Sequence, residues 1–501
     1  MRLSSFLSAG AAVLLKATLA AAQGSFDEAD GEAGFFTFEY STDEPDSTNW
    51  VGLYNSDGGG PVNEEFVEEA LVWEYAPDEE GTVALSTSSL QPGNFTAFFL
   101  ARDGYEWLAD PVEVVLSAED IDVEFIATDV TLPNARQGDD YSQSITGLGK
   151  GSEDATFELG SGSPEWLSIT ADGVLSGTPG SDDTDAHFSV SATDADGEDV
   201  ADFTIPVRPS GSKLIERLHV LTFNMWHGGT QINNYHEKQV RFLATSGADV
   251  VGLQEDQGGD SVERLAKALG WYYWASGDSM SILSKYPIVE EYGVINRSGG
   301  VRIALDGEDQ EVNFYSLHLG YDPYGPYDFC FDNMTVEEVL EREAESGRTP
   351  QITETIEALE ESGHLDGADK IPLLVVGDFN APSHLDWVEE LAEKNCGVSE
   401  MPWPSSVKPT EAGLIDSFRE ANPDPVKVPG ITWSPLFPWN EDEDKPEPQD
   451  RIDFIYHKGK GLKVVESKQF VVGKPEVDPN YEDNEWTSDH AVILTAFEWV
   501  E

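Results

Sequence analysis

Polar side chains close a series of apolar runs in the second half of the sequence. VLTFN, VVGLQE, FYSLH, LLVVGDFN and DRIDFIY each have the pattern of a strand, and TSDHAV precedes a further one. The polar residues at or next to their ends are Asn224, Glu255, His318, Asp378, Asn380, Asp453, Asp489 and His490. One Asn or Asp at a strand end usually forms a turn, but six strands with this feature predict one shared functional site.

The four carboxylates in this set predict a site for a divalent cation. Two carboxylates about 4 Å apart repel each other by about 4 kcal/mol at an effective dielectric constant of 20, so such a cluster needs protons or a cation. Oxygen ligands favour Mg²⁺, with Mn²⁺ or Ca²⁺ as alternatives, over zinc. A hard cation accepts a phosphate oxygen, while histidines activate water or donate to the phosphate. The residue types therefore predict metal-assisted hydrolysis of a phosphoester.

The elements that carry these residues form an alternating pattern from about residue 217 onward. The apolar runs predict strands buried on at least one face. Between them, EKQVRFLATSG, SVERLAKALG and TPQITETIEALEESG predict helices. Alternating strands and helices indicate a layered α/β domain over residues 217–500. Loops beyond the strand ends of such a domain are the usual place for a functional site.

The first two hundred residues have a different character. Residues 24–117 contain short strands separated by Gly, Pro, Asp and Asn clusters, which predict a small β-sandwich module. Residues 120–208 predict a second β-sandwich, and its order WLSI, GVLSGTP, ATDADG resembles cadherin-like or immunoglobulin-like modules. The first module, with NWVGLY and LVWEYAP, resembles SKICH-type domains. PSGSK opens a predicted linker over residues 209–216.

The strings TFNMW, LQE, LHLG, GDFNAPSH, DRIDFIY and SDHAV occur in this order between residues 217 and 499. In these motifs the chain resembles the endonuclease/exonuclease/phosphatase superfamily, which includes deoxyribonucleases, sphingomyelinases and inositol polyphosphate phosphatases. The resemblance implies a catalytic domain with an α/β four-layer sandwich, in which helices flank two β-sheets. It also implies a metal-dependent phosphoric ester hydrolase.

The resemblance implies a role for each motif residue. The metal ligands would be Glu255, Asn224 and Asp489, and the catalytic residues would be His490 as general base, Asp453 as its orienting partner, Asp378 and Asn380 as positioning groups, and His318 as donor to the phosphate or leaving group. His318 and Trp226 differ from the abasic-site branch, which lacks that histidine and has a carboxylate at the second position. Both differences favour the other branches.

Further residues have two interpretations each. Arg348 and Gln351 either reach the site or anchor the helix that follows them, and anchoring is favoured. His384 either lines a substrate pocket or is incidental, and the same applies to His227. Trp433 either stacks on a substrate or packs in the core.

The N-terminus and the cysteines predict a secreted protein. Residues 1–22 have the apolar run and the Ala-Ala-Ala end of a signal peptide. Cys330 and Cys396 are the two cysteines of the chain and could form one disulfide. Asn94, Asn296 and Asn333 lie in glycosylation sequons. No later stretch is apolar for long enough to predict a membrane span.

The charge balance restricts the candidate substrates. Lys plus Arg is 29 and Asp plus Glu is 95, a net charge of −66, which excludes a generally basic protein that coats nucleic acid. We therefore expect a small phosphate ester or a phospholipid headgroup as substrate. A secreted nuclease is the alternative, and a non-enzymatic adhesion protein is disfavoured because all expected catalytic positions are filled. The N-terminal modules could bind an unknown extracellular partner or could be passive spacers that raise solubility.

Overall fold

A computed structural model describes residues 24–500, apart from residues 30, 32–33, 57, 69, 88–89, 91–92, 117–122, 151–154 and 195–196. The predicted signal peptide lies outside the described residues. The chain divides into two compact units, Met1–Thr87 with Gly93–Leu116 and Ser88–Pro92 with Ser117–Glu501. Within the described part, no helix combines the length and the apolar character that crossing a membrane requires.

The first unit is a sandwich of two β-sheets. Its strands are β1 (Gly24–Ala29), β2 (Phe35–Thr42), β3 (Trp50–Asn55), β4 (Val72–Tyr75), β5 (Glu80–Ser86), β6 (Gly93–Leu100) and β7 (Val112–Leu116). One sheet has the order β1-β2-β5 and the other β4-β3-β6-β7. Aromatic side chains fill the space between them, where Phe99 packs against Phe26 and Tyr40 with ring centroids 5.9 and 5.0 Å apart. The all-β prediction for this region is confirmed.

The second β-module opens the second unit. Its strands are β8 (Glu124–Phe125), β9 (Asp129–Thr131), β10 (Ala135–Arg136), β11 (Tyr141–Ser144), β12 (Gly149–Lys150), β13 (Thr156–Leu159), β14 (Leu167–Ile169), β15 (Val174–Gly177), β16 (Ala186–Thr193), β17 (Glu198–Ile205) and β18 (Val207–Arg208). The larger sheets have the orders β13-β16-β17-β9 and β11-β15-β14, with the pairs β12-β8 and β10-β18 beside them.

The α/β region, which the resemblance implies to be the catalytic domain, contains two six-stranded sheets and a short hairpin. Its strands are β19 (Arg217–Asn224), β20 (Val250–Gln254), β21 (Tyr272–Ala275), β22 (Met280–Ser284), β23 (Ile288–Ile295), β24 (Ser298–Asp306), β25 (Gln310–His318), β26 (Leu373–Asp378), β27 (Ile415–Asp416), β28 (Trp439–Asn440), β29 (Lys445–Pro446), β30 (Asp453–Lys458), β31 (Leu462–Phe470) and β32 (Val492–Trp499). The first sheet has the order β21-β22-β20-β19-β32-β31, and the second has the order β23-β24-β25-β26-β30-β27.

Helices follow several of these strands along the chain. They are α1 (Tyr235–Thr245), α2 (Asp260–Leu269), α3 (Gly325–Cys330), α4 (Val336–Glu345), α5 (Arg348–Glu361), α6 (His364–Gly367), α7 (Pro404–Glu411) and α8 (Ser417–Ala421). Val220 and Val376 pack between the sheets, whereas Leu221 packs toward α1 and α2, and Val375 toward α5 and α6. The strands are therefore buried on both faces, which explains their continuous apolar runs. The predicted four-layer sandwich is confirmed.

The second β-module shares a continuous apolar core with the helix layer of the first catalytic sheet. Phe125, Ile145 and Phe157 of the module belong to the same buried cluster as Leu243 of α1 and Leu269 of α2. Polar contacts surround this junction: the Gln143 amide donates to the Leu269 carbonyl at 3.2 Å, the Arg241 Nε donates to the Ile126 carbonyl at 3.0 Å, and Lys150 pairs with Glu237 at 3.0 Å. The module is therefore built into the catalytic unit.

The segment predicted as a linker, residues 209–216, is held near its C-terminal end. Ile215 is buried in the core between the two catalytic sheets. Its backbone N–H donates to Gln310 Oε1 at 3.2 Å, and its carbonyl accepts from Gln310 Nε2 at 2.9 Å. The Leu214 N–H donates to Asp306 at 3.1 Å. These contacts fix the direction in which the chain enters β19.

Strand register brings the polar strand ends to one edge. In the first sheet, the parallel pair β19 and β20 places Asn224 beside Gln254, and Glu255 follows directly. In the second sheet, His318, Asp378 and Asp453 are direct neighbours across β25, β26 and β30. Strand β32 runs antiparallel to β19, so the residues that precede Val492 return to the same edge. The topology thus assembles the residues that the sequence separates.

We expect Gly147→Ala to destabilise the second unit. Gly147 lies in the turn between β11 and β12, where an added Cβ would be 2.5 Å from Ala268 Cα and 2.8 Å from the Ala268 and Lys267 carbonyl oxygens. Displacement of the α2 backbone would disturb the packing around it. We therefore expect the free energy of unfolding, measured by urea denaturation, to fall by about 1–3 kcal/mol.

Gly367→Ala is the matched control, because an added Cβ at this helical glycine meets no atom within 4 Å. Its stability should be unchanged or slightly raised. Equal unfolding midpoints for Gly147→Ala and the wild type would show that the module does not pack on α2 in this way.

Candidate active site

His490 and Asp453 form a buried dyad at the assembled edge. Nδ1 of His490 lies 2.9 Å from Asp453 Oδ2, and both side chains are almost completely buried. Nε2 of His490 faces Asp378 Oδ2 at 3.8 Å and Asp489 Oδ1 at 4.0 Å. A carboxylate on one imidazole nitrogen fixes the tautomer and leaves the other nitrogen available for proton transfer. The dyad therefore has the arrangement of a general base with its orienting partner.

Asn224 joins the carboxylates of the two sheets. Its Nδ2 donates to Glu255 Oε1 at 3.1 Å and to Asp378 Oδ2 at 3.0 Å, and its Oδ1 accepts from the Trp226 N–H at 2.9 Å. The amide thus presents hydrogen-bond donors to two carboxylates, which reduces their repulsion. A metal ligand would instead present its oxygen, so the ligand role of Asn224 remains a prediction that this orientation does not support.

The backbone at the strand ends adopts unusual conformations. Glu255, Asn380, Trp226 and His227 have φ values of 61°, 50°, 52° and 52°, in the left-handed region that non-glycine residues rarely enter. At the end of β19 the His227 N–H donates to Glu255 Oε2 at 2.6 Å. At the end of β26 the Asn380 N–H donates to Asp378 Oδ1 at 2.8 Å. Such strain costs about 1–3 kcal/mol per residue and concentrates at functional sites.

The carboxylates at this edge have perturbed acidities. Burial raises the pKa of Asp489 to about 8, and the charges of Glu255 and Asp378 add to this effect while His490 opposes it. Burial and the charge of Asp453 raise the pKa of Asp378 to about 6. Burial also opposes ionisation of Glu255, but His318, the His227 N–H and His490 together hold the pKa of Glu255 below its ordinary value.

The pKa of His490 is set by its acidic surroundings. Burial disfavours the imidazolium, yet the carboxylates of Asp453 and Asp378 outweigh burial and raise the pKa of His490 well above its usual range. A cation held by the neighbouring carboxylates would compensate this negative charge and lower the pKa again. A neutral, proton-accepting His490 therefore fits best with a cation in the cluster.

The residues present fit a hard divalent cation. Ligand atoms of Asp378, Asp453 and His490 lie within 4.8 Å of one another. Oδ1 of Asp489 and Oδ1 of Asp453 are buried, and neither has a hydrogen-bond partner among the described residues. Unsatisfied buried oxygens are costly unless they bind a proton or a metal. This geometric cluster differs from the ligand set predicted from the sequence, which centres on Glu255 and Asp489, and shares none of its members.

His318 closes the other side of the cluster. Its Nε2 lies 3.7 Å from Asp378 Oδ2, and its Nδ1 lies 3.2 Å from the hydroxyl of Ser279. When the Ser279 hydroxyl donates to Nδ1, Nε2 carries the proton and can donate to a substrate oxygen. The two histidines thus approach Asp378 Oδ2 from different directions, His318 from the end of β25 and His490 from the segment before β32.

Arg348 and Gln351 anchor the loop that follows β25, as the sequence favoured. Arg348 is fully buried, and its guanidinium pairs with Glu343 and donates to three carbonyl oxygens, at 2.8 Å for Gly320, 3.1 Å for Tyr321 and 2.5 Å for Pro323. All five N–H groups are used, so none remains for a substrate. Gln351 accepts from the Gly320 N–H at 2.8 Å. The pocket interpretation of Arg348 is wrong, and its role is to hold this loop.

Trp433 and His384 have different surroundings. Trp433 is partly exposed and packs against His490, with ring centroids 5.1 Å apart, so it borders the dyad. His384 instead contacts Ser406, with its N–H and its Nδ1 each 2.8 Å from the hydroxyl. Among the contacts that the structure describes, none joins His384 to the dyad or to the carboxylate cluster. Its assignment to the substrate pocket gains no support.

The covalent features of the sequence are located as follows. Cys330 and Cys396 form a disulfide with their Cα atoms 5.1 Å apart, which confirms the predicted pairing. Asn94, Asn296 and Asn333 all lie at exposed positions. The Asn296 amide donates to Glu354 at 2.8 Å. Glycosylation of these residues stays a prediction.

Sequence reasoning missed several residues that hold the site together. Ser488 donates to the Asn224 carbonyl at 2.6 Å and accepts from the His490 N–H at 2.9 Å, so it ties the base to the first sheet. The Trp486 indole donates to the His490 carbonyl at 2.8 Å. Ser488 is the first residue of the SDH motif, and Trp486 lies two residues before it, which is the signal that the sequence offers for both. Ser279 has no comparable signal, because its partner His318 lies far along the chain.

Comparisons with known proteins agree with this architecture. The model of the Endonuclease/Exonuclease/phosphatase family matches residues 221–490, which is more than half of the chain. An Ig domain model matches residues 124–208. A Caenorhabditis elegans protein named "Uncharacterized protein F14F9.5" is 31% identical over 295 residues, which are 56% of this chain and 92% of that protein.

Solved structures that the chain matches include humanized D. rerio TDP2, with 18% identity, a TM-score of 0.35, and coverage of 56% of this chain and 99% of that chain. The 3′-5′ exonuclease NExo from Neisseria meningitidis has 17% identity, a TM-score of 0.37, and coverage of 56% of this chain and 100% of that chain.

We expect the thermal stabilisation by Mg²⁺ to increase between about pH 6 and about pH 8.5. Without added metal, the folded pKa of Asp489, about 8, exceeds its ordinary value, so its contribution to stability is complete at low pH and is lost as the pH rises through that value. A metal must displace this proton, so its binding strengthens over the same window. Scanning fluorimetry with Mg²⁺ and with EDTA measures the difference.

Asp489→Asn provides the control, because it removes the carboxyl group whose pKa is about 8. Its Mg²⁺-induced shift should be smaller than that of the wild type and should increase less between the two pH values. A wild-type shift that is equal at the two pH values would contradict the assignment of Asp489 to the metal.

Proposed function

Because the chain belongs to the endonuclease/exonuclease/phosphatase family of metal-dependent phosphoric ester hydrolases, we propose that it hydrolyses a small phosphate ester or a phospholipid headgroup by attack of an activated water. The observation that carries this proposal is the dyad of His490 and Asp453, in which Nε2 of His490 faces a buried cluster of carboxylates. His318 lies across the same cluster.

His490 is the proposed base. Its Nε2 takes a proton from water, and Asp453 at Nδ1 stabilises the resulting imidazolium and keeps the ring oriented. Ser488 fixes the backbone of this residue, and Trp433 packs against its ring. These contacts restrict the imidazole to one orientation, which is what efficient proton transfer requires.

Glu255 and Asp489 are the proposed holders of the divalent cation, with Asp378 beside them. When bound, the cation would neutralise charge that develops on the phosphate. Asn224 keeps Glu255 and Asp378 together through its two hydrogen bonds. Mg²⁺ is the proposed ion, because the cluster offers oxygen ligands and no thiolate.

The opposite side of the cluster orients the phosphate. His318 has its Nε2 near Asp378 and its Nδ1 at Ser279, so it can donate a proton or a hydrogen bond to an ester oxygen. Asn380 fixes the Asp378 carboxylate through its N–H and is itself held by the Leu319 carbonyl at 3.0 Å. Two proton-handling groups on opposite sides of one site suit displacement of an alcohol by water.

Charge favours a small substrate over a nucleic acid. Long nucleic acids gain affinity from rows of Lys and Arg, whereas this chain carries a net charge of −66. Arg297, whose carbonyl accepts the His318 N–H, is already paired with Asp278 at 2.9 Å. A single phosphate group that reaches the bound cation avoids most of the surrounding repulsion.

Secretion is part of the same proposal. The N-terminal sequence has the features of a signal peptide, and the disulfide between Cys330 and Cys396 suits an oxidising compartment. The exposed sequons would accept glycans there. Extracellular phosphate esters and membrane headgroups would then be the accessible substrates.

We expect His490→Ala and Glu255→Gln each to lower kcat/KM by about a hundred-fold or more, because one loses the base and the other the charge that holds the metal. A panel of sphingomyelin, a nucleotide, an inositol phosphate and DNA, each with Mg²⁺ and with EDTA, identifies the substrate. Activity should be lost in EDTA and should be higher on a small ester than on DNA.

Glu263→Gln is a matched control, because Glu263 is exposed on α2 and the change removes the same charge. Its activity should equal that of the wild type. Full activity in EDTA, or undiminished activity in both active-site variants, would overturn the proposed function. Hydrolysis of DNA alone would favour the nuclease.

A further inference from the structure

The indole of Trp433 is held from two directions. Its ring packs against His490, and its backbone forms isolated β-bridges with Asp450 on one side and with His490 on the other. The next side chain, Ser434, donates to the Asp489 carbonyl at 2.6 Å. The backbone of this loop is therefore fixed, and the indole is held by its ring contacts with His490 and Phe437 and by the hydrogen bond of its Nε1.

Glu447 supplies that contact. Its Oε1 accepts from the Trp433 indole N–H at 2.9 Å and from the Tyr327 hydroxyl at 2.6 Å, and its Oε2 accepts from the Asn440 amide at 3.0 Å. The side chain is 6% exposed. Among the described contacts of this carboxylate, all three donors are neutral. A buried carboxylate without a cation is costly, so these hydrogen bonds must offset its desolvation.

Tyr327 connects Glu447 to a rigid part of the fold. It lies on α3, the helix that ends at Cys330 of the disulfide. The neighbouring Phe329 packs against Trp387 and Trp403, with ring centroids 5.5 and 6.1 Å away. The helix is thus anchored covalently and by aromatic packing. A chain of direct contacts leads from this anchored helix through Glu447 and Trp433 to the imidazole of His490.

We propose that Glu447 is a positioning residue for the hydrolysis, and that it acts by holding the indole of Trp433 against His490. This inference rests on the proposed function of His490 as the base. Glu447 itself does not reach the dyad, and its oxygens are already occupied by three donors. Its loss would free the indole to rotate away from the imidazole, and a small displacement of a catalytic group lowers the rate of the chemical step strongly.

The test compares Glu447→Gln with the wild type. The variant keeps the size of the side chain, but its amide nitrogen cannot accept hydrogen bonds. At least one of the three hydrogen bonds that Glu447 accepts is therefore lost. We expect kcat on bis(p-nitrophenyl) phosphate with Mg²⁺ to fall about ten-fold while KM changes less than about two-fold. Mg²⁺ affinity measured by calorimetry should be unchanged, because Glu447 is not a proposed metal ligand.

Tyr327→Phe removes one donor and should change kcat in the same direction by a smaller factor. Glu443→Gln is the control, since Glu443 is exposed in the same loop and carries the same charge. It should retain the wild-type kcat. A kcat of Glu447→Gln within about two-fold of the wild type would overturn the proposal.

A second measurement does not depend on activity. In protein labelled with 5-fluorotryptophan, the ¹⁹F resonance of Trp433 is assigned by its absence in Trp433→Phe. We expect this resonance to move in Glu447→Gln and to stay in place in Glu443→Gln. An unmoved resonance would overturn the proposal even if the wild type proves inactive, whereas inactivity of the wild type alone would overturn the proposed function.

Discussion

Repulsion between carboxylates is the constraint on which this structure depends. Four acidic side chains meet at the edge where the two catalytic sheets end, and three of them are almost completely buried. Each close pair costs several kcal/mol at a protein-like dielectric constant. The fold tolerates this because donors are placed between the charges: the Asn224 amide joins Glu255 to Asp378, and His490 joins Asp453 to the others. Among the described residues of this cluster, Oδ1 of Asp453 and Oδ1 of Asp489 have no hydrogen-bond partner, and Asp489 is one of the proposed holders of the cation.

Such a cluster needs a stiff frame, since each carboxylate would otherwise relax toward water. The two sheets provide the frame through strand register, and strained turns at Glu255 and Asn380 direct backbone N–H groups at the carboxylates. Arg348 is part of the same frame, because it fixes the loop after His318 without reaching the substrate. The second β-module extends the frame further, since its core continues into α1 and α2.

The sequence predicts the local features of this arrangement and misses the long-range ones. The strands and the polar residues at their ends were predictable because apolar runs and their termini are local patterns. The Ig-like module was predictable for the same reason, but its fusion to the helix layer was not. Contacts such as Tyr327 with Glu447, 120 residues apart, leave no trace in spacing or composition. The orientation of the Asn224 amide is likewise set by Trp226 and Glu255 together, and only their meeting in the fold decides it.

The effect of the net charge of −66 on a ligand depends on how far each acidic side chain lies from this site. At physiological ionic strength, charges more than about 8 Å apart are largely screened, so the distant acidic surface hardly affects a ligand bound at the cluster. A single phosphate therefore responds mainly to the local carboxylates, the two histidines and the cation. A double-stranded nucleic acid carries a charge about every 1.7 Å along its axis. A long one would lie along the protein surface, where many of its phosphates would come within the screening distance of a carboxylate and be repelled. The acidic surface thus disfavours binding of a long polyanion more than binding of a single phosphoester.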